Sequence, residues 1–172
     1  MGVRGVLMRG KRVYLRLARE ADGREFSRAV RRSRKLHRGW VNPPELGASF
    51  RAYLRRENFK GLLICRNDSG EIVGVINLSQ IFYGAFQSAY LGFYAMEGHQ
   101  GQGLMREGLR LAIRYAFEKL KLHRVEANIQ PGNVRSIGLV KGLGFRKEGF
   151  SPRYLKVAGR WRDHERWAKV RG

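Results

Sequence analysis

The chain has 172 residues, 43% of them hydrophobic, enough for one compact core, so a single domain over residues 1–172 is expected. Its apolar runs fall far short of the roughly 20 residues that span a bilayer, and no continuous apolar stretch of signal-peptide length follows Met1, so neither a membrane partner nor export is expected; with Cys65 as the only cysteine, a reducing cytoplasm fits. Against 14 Asp and Glu stand 35 Lys and Arg, and the net charge of +21 fits equally a polyanionic partner such as ribosomal RNA, phosphate-bearing ligands, or a solvated basic surface.

Val13, Leu15 and Leu17 alternate as a strand does, and a basic helix is predicted from Arg19-Glu20-Ala21-Asp22 to about Leu36. Asn42-Pro43-Pro44 turns the chain, because paired prolines resist helix continuation, and a second helix is predicted over Glu45 to Arg56. Three β-rich runs follow, Gly61 to Arg66, Ile72 to Ile81 and Ala85 to Tyr94, divided by turn signals at Asn67-Asp68-Ser69-Gly70 and Tyr83-Gly84. Cys65 lies inside the first of them and reads as a small buried hydrophobe. His37, His99, His123 and His164 are scattered, without metal-ligand spacing, so no metal is expected.

Gly101 to Leu120 has helical period, with Met105, Leu109, Ala112, Ala116 and Leu120 on one side and Arg106, Arg110 and Arg114 on another. Arg124 to Ile129 alternates again, and Pro131-Gly132-Asn133 turns into a short helix ending near Gly144. Two final strands, Arg146 to Leu155 and Arg160 to Val170, join around Ala158-Gly159.

The densest chemical signal is the sequence from Tyr90 to Tyr94 followed by His99-Gln100-Gly101-Gln102-Gly103-Leu104-Met105, a strand, a short loop and glycines at a helix start. Unpaired backbone N–H groups of Gln102, Gly103 and Leu104, with the positive end of the helix dipole, suit a diphosphate. A tight turn that merely needs glycines accounts for the same residues. Arg106 occupies the third glycine position of a dinucleotide fingerprint, and no Gly-Lys-Ser/Thr follows for a Walker loop.

Gln100-Gly101-Gln102-Gly103 resembles the Gln/Arg-x-x-Gly-x-Gly/Ala loop with which enzymes of the GNAT superfamily bind the coenzyme A diphosphate, with Met105 in place of the small sixth residue, narrowing the space near the phosphates. The resemblance continues through Leu122-His123-Arg124-Val125-Glu126-Ala127, Pro131-x-Asn133-x-x-Ser136, Leu143 to Gly149, Tyr154-Leu155 and Gly159 to His164. In that order these segments are similar to the RimJ/RimL branch, whose members acetylate protein N-termini.

The resemblance implies an α+β fold, a mixed and mostly antiparallel sheet flanked by about four helices, whose central strands, here Ala85 to Tyr94 and Arg124 to Ile129, splay apart to admit pantetheine. It implies acetyl-CoA as cosubstrate, held by Phe93, Tyr94, Gln100, Gly101, Gln102, Gly103, Leu104, Met105, Asn128, Asn133 and Ser136, with a backbone N–H near Phe93 or Tyr94 stabilising the oxyanion. Ser136 is the implied proton donor to the leaving thiolate, because Val140 stands where many of these enzymes carry Tyr; Asn133 is equally a helix N-cap.

Arg153 stands where related enzymes often place an acid, which leaves Glu97, His99, Glu126 and Asp163 as candidate bases. Glu126 joins Ser136 and Tyr94 as a catalytic candidate, and pairing with an arginine explains it equally well. Trp40 lies where this fold lines the acceptor side, although core packing alone accounts for it. The expected acceptor is a protein N-terminus; a small amine, an antibiotic or an aminoacyl nucleotide is the alternative within the fold, and a basic RNA-binding protein without catalysis the alternative outside it. Oligomeric state leaves no mark in the sequence.

Overall fold

A computed structural model describes residues 5–45 and 47–172. Eight strands, β1 (Val6–Arg9), β2 (Val13–Leu17), β3 (Lys60–Arg66), β4 (Ile72–Phe82), β5 (Ser88–Ala95), β6 (Arg124–Ile129), β7 (Arg146–Val157) and β8 (Arg160–Val170), form one sheet in the order β1-β2-β3-β4-β5-β6-β8-β7. Every pairing is antiparallel except β5 with β6. That parallel seam pairs Ser88, Ala89 and Tyr90 with Arg124, Val125 and Glu126 and goes no further, so the strands part beyond Tyr90.

Five helices cover the sheet: α1 (Gly23–Arg32), α2 (Arg34–His37), α3 (Ala48–Leu54), α4 (Leu104–Arg114) and α5 (Val134–Gly142). α4 buries Leu104, Leu109, Leu111 and Ala112 against Val13, Ile64, Val125 and Ala127. On the opposite face Phe26, Val30, Phe50 and Tyr53 of α1 and α3 pack on Leu63, Val75 and Tyr94. α4 passes into a π-helical turn over Tyr115–Lys119, where the Leu120 N–H reaches the Tyr115 carbonyl at 3.0 Å.

The differences from the expected elements have local causes. The basic helix breaks at Ser33, whose hydroxyl donates to the Ala29 carbonyl at 2.7 Å and accepts the Glu97 N–H at 2.8 Å, tying the break to the end of β5. The helix expected from Glu45 begins only at Ala48, because Gly47 has φ 91°. The strand expected from Ala85 begins at Ser88, after Gln87 at φ 43°. The helix expected from Gly101 starts at Leu104, since Gly101 and Gly103 have φ 72° and 75°.

β2 and the start of α1 are joined by a buried ion pair. Arg16 and Asp22 are 6% and 7% exposed, and the guanidinium donates Nη1 and Nη2 to the two carboxylate oxygens at 2.7 and 2.8 Å. Asp22 also accepts the Arg19 N–H at 2.7 Å. The guanidinium proton is held well beyond its ordinary range: burial works against the charge, and the Asp22 bonds outweigh it.

Candidate active site

Where β5 and β6 part, a cleft of about 930 Å3 opens between the start of α4, the start of α5 and the α2 end. Phe93, Tyr94, Gln100, Gly101, Gly103, Met105, Asn133 and Ser136 of the expected residues line it, together with His37, Trp40 and Arg106. A second cavity of about 90 Å3 runs into the gap itself and shares Trp40, Val41, Phe93, Asn133 and Ser136 with the first; Asn128, Gln130 and His164 are among its other walls.

The floor of the gap is unpaired backbone. The Met96 N–H donates to the Val73 carbonyl at 2.9 Å, and the register Tyr94↔Val75 is in the same phase, so Tyr94 turns its N–H to β4. Phe93 and Ala95, in the alternate phase, turn theirs to the gap. Of the two residues expected to supply the oxyanion donor, Phe93 is therefore the one with an available N–H. The Tyr94 side chain lies in the α1–α3 core, 9% exposed, its hydroxyl without a partner among the described residues and held protonated by burial well above the usual phenol range.

The glycine-rich loop is held open by its backbone. Gly98, Gly101 and Gly103 are all in left-handed geometry, and Gly103, at the α4 N-cap, supplies no side-chain cap. The first intrahelical bond runs from the Glu107 N–H to the Gly103 carbonyl at 3.1 Å, so the amides of Leu104, Met105 and Arg106 have no helical acceptor. Leu104 itself points into the core, 3% exposed, and Gln102 turns its side chain back to the Gly98 carbonyl at 2.9 Å; both can serve the cleft through the main chain only.

The loop is fastened to the β1–β2 turn by Arg12, which donates to the Gln102 carbonyl at 2.8 Å and pairs with Glu107 at 3.0 Å. Burial raises the Glu107 carboxyl, but the bonds from the Arg12 backbone and side chain and from the Val13 backbone hold it below the usual range. Met105, expected to crowd the phosphates, is 8% exposed; its sulphur occupies the space where Gly74 lacks a Cβ, so much of its bulk is taken into the sheet.

Asn133 accepts the Ser136 N–H at 3.3 Å, an N-cap that fixes the first turn of α5 and brings Ser136 to both cavities. Among the described residues no hydrogen bond engages the Ser136 hydroxyl.

The candidate bases are dispersed. Glu126 lines neither cavity: its carboxylate accepts from Arg124 at 2.7 Å, and Arg124 also holds Glu148. Of the two readings of Glu126, pairing with an arginine is the one visible in the structure. Asp163 accepts the Arg153 N–H at 2.7 Å and anchors the β7 bulge, and Glu97 is exposed; His99 alone of the four lines the larger cleft, with its Nε2 3.3 Å from Glu71.

Three lining residues escaped sequence reasoning or were undervalued by it. Trp40 is 38% exposed and lines both cavities instead of packing in the core. His37 is 4% exposed, its Nε2 donating to the Ala95 carbonyl at 2.7 Å; burial lowers its pKa against the opposing effects of that carbonyl and of Glu97, so the ring is neutral. His164 reaches the smaller cavity from β8, more than thirty residues in sequence beyond Asn128 beside it.

Comparison with known proteins agrees with this geometry. The family model of the acetyltransferase (GNAT) domain matches residues 12–146. The chain is 46% identical over 97 residues to the [ribosomal protein uS5]-alanine N-acetyltransferase of Escherichia coli, covering 56% of this chain and 50% of that protein. It is 24% identical over 154 residues to the spermidine N(1)-acetyltransferase of Vibrio cholerae, covering 87% and 88%. The structure of Mycobacterium smegmatis RimJ in complex with CoA-disulfide superposes with a TM-score of 0.81 at 29% identity, covering 92% of this chain and 81% of that one. The chain spans about half the length of the curated relatives it matches at more than 40% identity.

Proposed function

The chain belongs to the GNAT acetyltransferase family, and on that footing we propose that it transfers the acetyl group of acetyl-CoA to the α-amine of a protein N-terminus. The observation that carries this reading is the run of unpaired main-chain donors from the α4 N-terminus to Phe93, continuous along one cleft and ending beside Ser136. The α4 amides would hold the diphosphate, Arg106 and Arg135 at the cleft would meet phosphate charge, and the free edge of β5 would pair with pantetheine. The Phe93 N–H would then stand at the thioester oxygen, where negative charge grows during attack.

The likeness to uS5-alanine acetyltransferases supports an N-terminal acceptor, and so does the character of the site. Among the described residues neither cavity is lined by a carboxylate, which is poor recognition for a polycation such as spermidine, and the net charge of +21 repels one. Arg24, Arg28, Arg31, Arg32 and Lys35 form an exposed basic ridge on α1 and α2, suited to a protein presented beside RNA.

An α-amine of pKa about 8 is substantially neutral near pH 7.5, whereas a lysine of pKa about 10.4 is only about 0.1% neutral. A peptide with a free N-terminal alanine is therefore expected to react at least about 100-fold faster than the same peptide with a blocked terminus and one free lysine. Intact-mass analysis after incubation with acetyl-CoA measures both. Acetylation of small amines alone would end the N-terminal assignment while leaving acetyl transfer in place.

Ser136→Ala is expected to lower turnover about 100-fold and to change acetyl-CoA affinity less than about twofold, since a proton donor acts on the departing thiolate and not on the bound ground state. Steady-state rates and calorimetry separate the two; parallel losses would return Ser136 to binding or capping.

A further inference from the structure

The smaller cavity ends on the sheet face opposite α4 and α5, against Asn128 and His164. Val125, Ala127 and Ile129 belong to the α4-side core, so alternation turns Asn128 to the other face; Trp167 in the same core turns His164 there too. Asn128 Oδ1 is buried and has no hydrogen-bond partner among the described residues. His164 is 4% exposed, with Nδ1 2.9 Å from the Arg162 carbonyl. A carbonyl only accepts, so Nδ1 carries the proton and Nε2 the lone pair. Among the described residues no hydrogen bond reaches that Nε2.

Two uncommitted acceptors thus face one small space that also reaches Phe93 and Ser136. The complement of such a pair is a group that brings at least two N–H bonds and must give up one, which is a primary amine. We propose that Asn128 and His164 form the acceptor-amine subsite, with His164 Nε2 as the base for the attacking nitrogen. The assignment rests on the acetyl-transfer reading of the cleft and moves Asn128 from the coenzyme's side of the gap to the acceptor's.

Asn128 Oδ1 accepts one N–H and turns the nitrogen lone pair toward the thioester carbon. As the C–N bond forms and the C–S bond breaks, His164 Nε2 takes the proton that the nitrogen loses and passes it to solvent. The departing sulphur receives a proton from the Ser136 hydroxyl, which solvent restores, so amine and thioester become amide and thiol with protons balanced. His164 is held by its own backbone for this task, because the Nδ1–H bond to Arg162 fixes the tautomer.

The test uses the full chain with an alanine-terminated peptide, or with tyramine if the peptide does not react. His164→Asn retains a donor for the Arg162 carbonyl and removes the proton acceptor; kcat/KM for the amine is expected to fall about 100-fold while the calorimetric affinity for acetyl-CoA is unchanged. Asn128→Ala is expected to raise the KM for the amine roughly tenfold with the same unchanged acetyl-CoA affinity. A His164→Asn protein that binds acetyl-CoA and retains a rate within about threefold of wild type overturns the base assignment. If His164→Asn does not fold, Asn128→Ala decides: a loss of acetyl-CoA affinity with the amine KM unmoved returns Asn128 to the coenzyme and sinks the subsite. A wild-type protein that acetylates neither amine fails the acetyl-transfer reading instead, a result visible before any variant is made.

Discussion

Gly103→Glu is expected to weaken acetyl-CoA binding by two orders of magnitude or more, on the order of 3 kcal/mol. The N-cap position faces the unpaired α4 amides, and a Cβ built there lies 3.2 Å from Arg12 Nη2, so Arg12 would hold the new carboxylate at the loop where the diphosphate belongs. Acetyl-CoA at 100 times its wild-type dissociation constant stabilises the folded state by about 2.7 kcal/mol, or roughly 5–10 °C in melting temperature for a chain of this size. In the variant that rise should nearly vanish. Gly103→Ala is the control, because it bears the cost of a Cβ at φ 75° without the charge. A folded Glu variant with wild-type affinity would remove the diphosphate from this loop.

That loop was legible because its signal is local: glycines at fixed spacing between a strand and an amphipathic helix specify the turn and leave the amides bare. The strands with clear alternation, Val13–Leu17 and Arg124–Ile129, were legible for the same reason. β1 was not, since Val-Leu-Met-Arg has no alternation and its pairing depends on β2. The oxyanion donor was narrowed to two neighbours and no further, because the choice between Phe93 and Tyr94 is a matter of register with β4. His37, Trp40 and His164 come to the two cavities from α2, the turn after it and β8, and no periodicity announces a meeting that only the topology arranges. Glu126 illustrates the converse: a carboxylate on the right strand, taken by an arginine two residues away.

The largest expected effect on stability lies away from the cleft, at Asp22. Asp22→Ala leaves the Arg16 guanidinium buried without its counter-charge and frees the Arg19 N–H, and a loss of about 3–5 kcal/mol is expected, roughly 10 °C or more in melting temperature. The penalty belongs mostly to the stranded charge. Arg16→Leu combined with Asp22→Leu should therefore recover much of it, since removing both ions also removes their desolvation. Thermal unfolding of the two variants reads this directly; a double variant no better than Asp22→Ala would mean that the pair contributes net stability and is not simply self-compensating.

The parting of β5 and β6 also bears on how the protein avoids its own kind. Unpaired strand edges are templates on which other chains add strands, and sheets usually blunt them at their margins with charge, proline or bulges. Here the open edge is internal, walled on one side by β6 and roofed by the starts of α4 and α5. A peptide strand would bring side chains on both faces, whereas the β-alanine and cysteamine part of a coenzyme arm brings none. The recess is thus both receptive and guarded: bare main chain is kept available for one slender visitor and withheld from the sticky contacts that lead to aggregation.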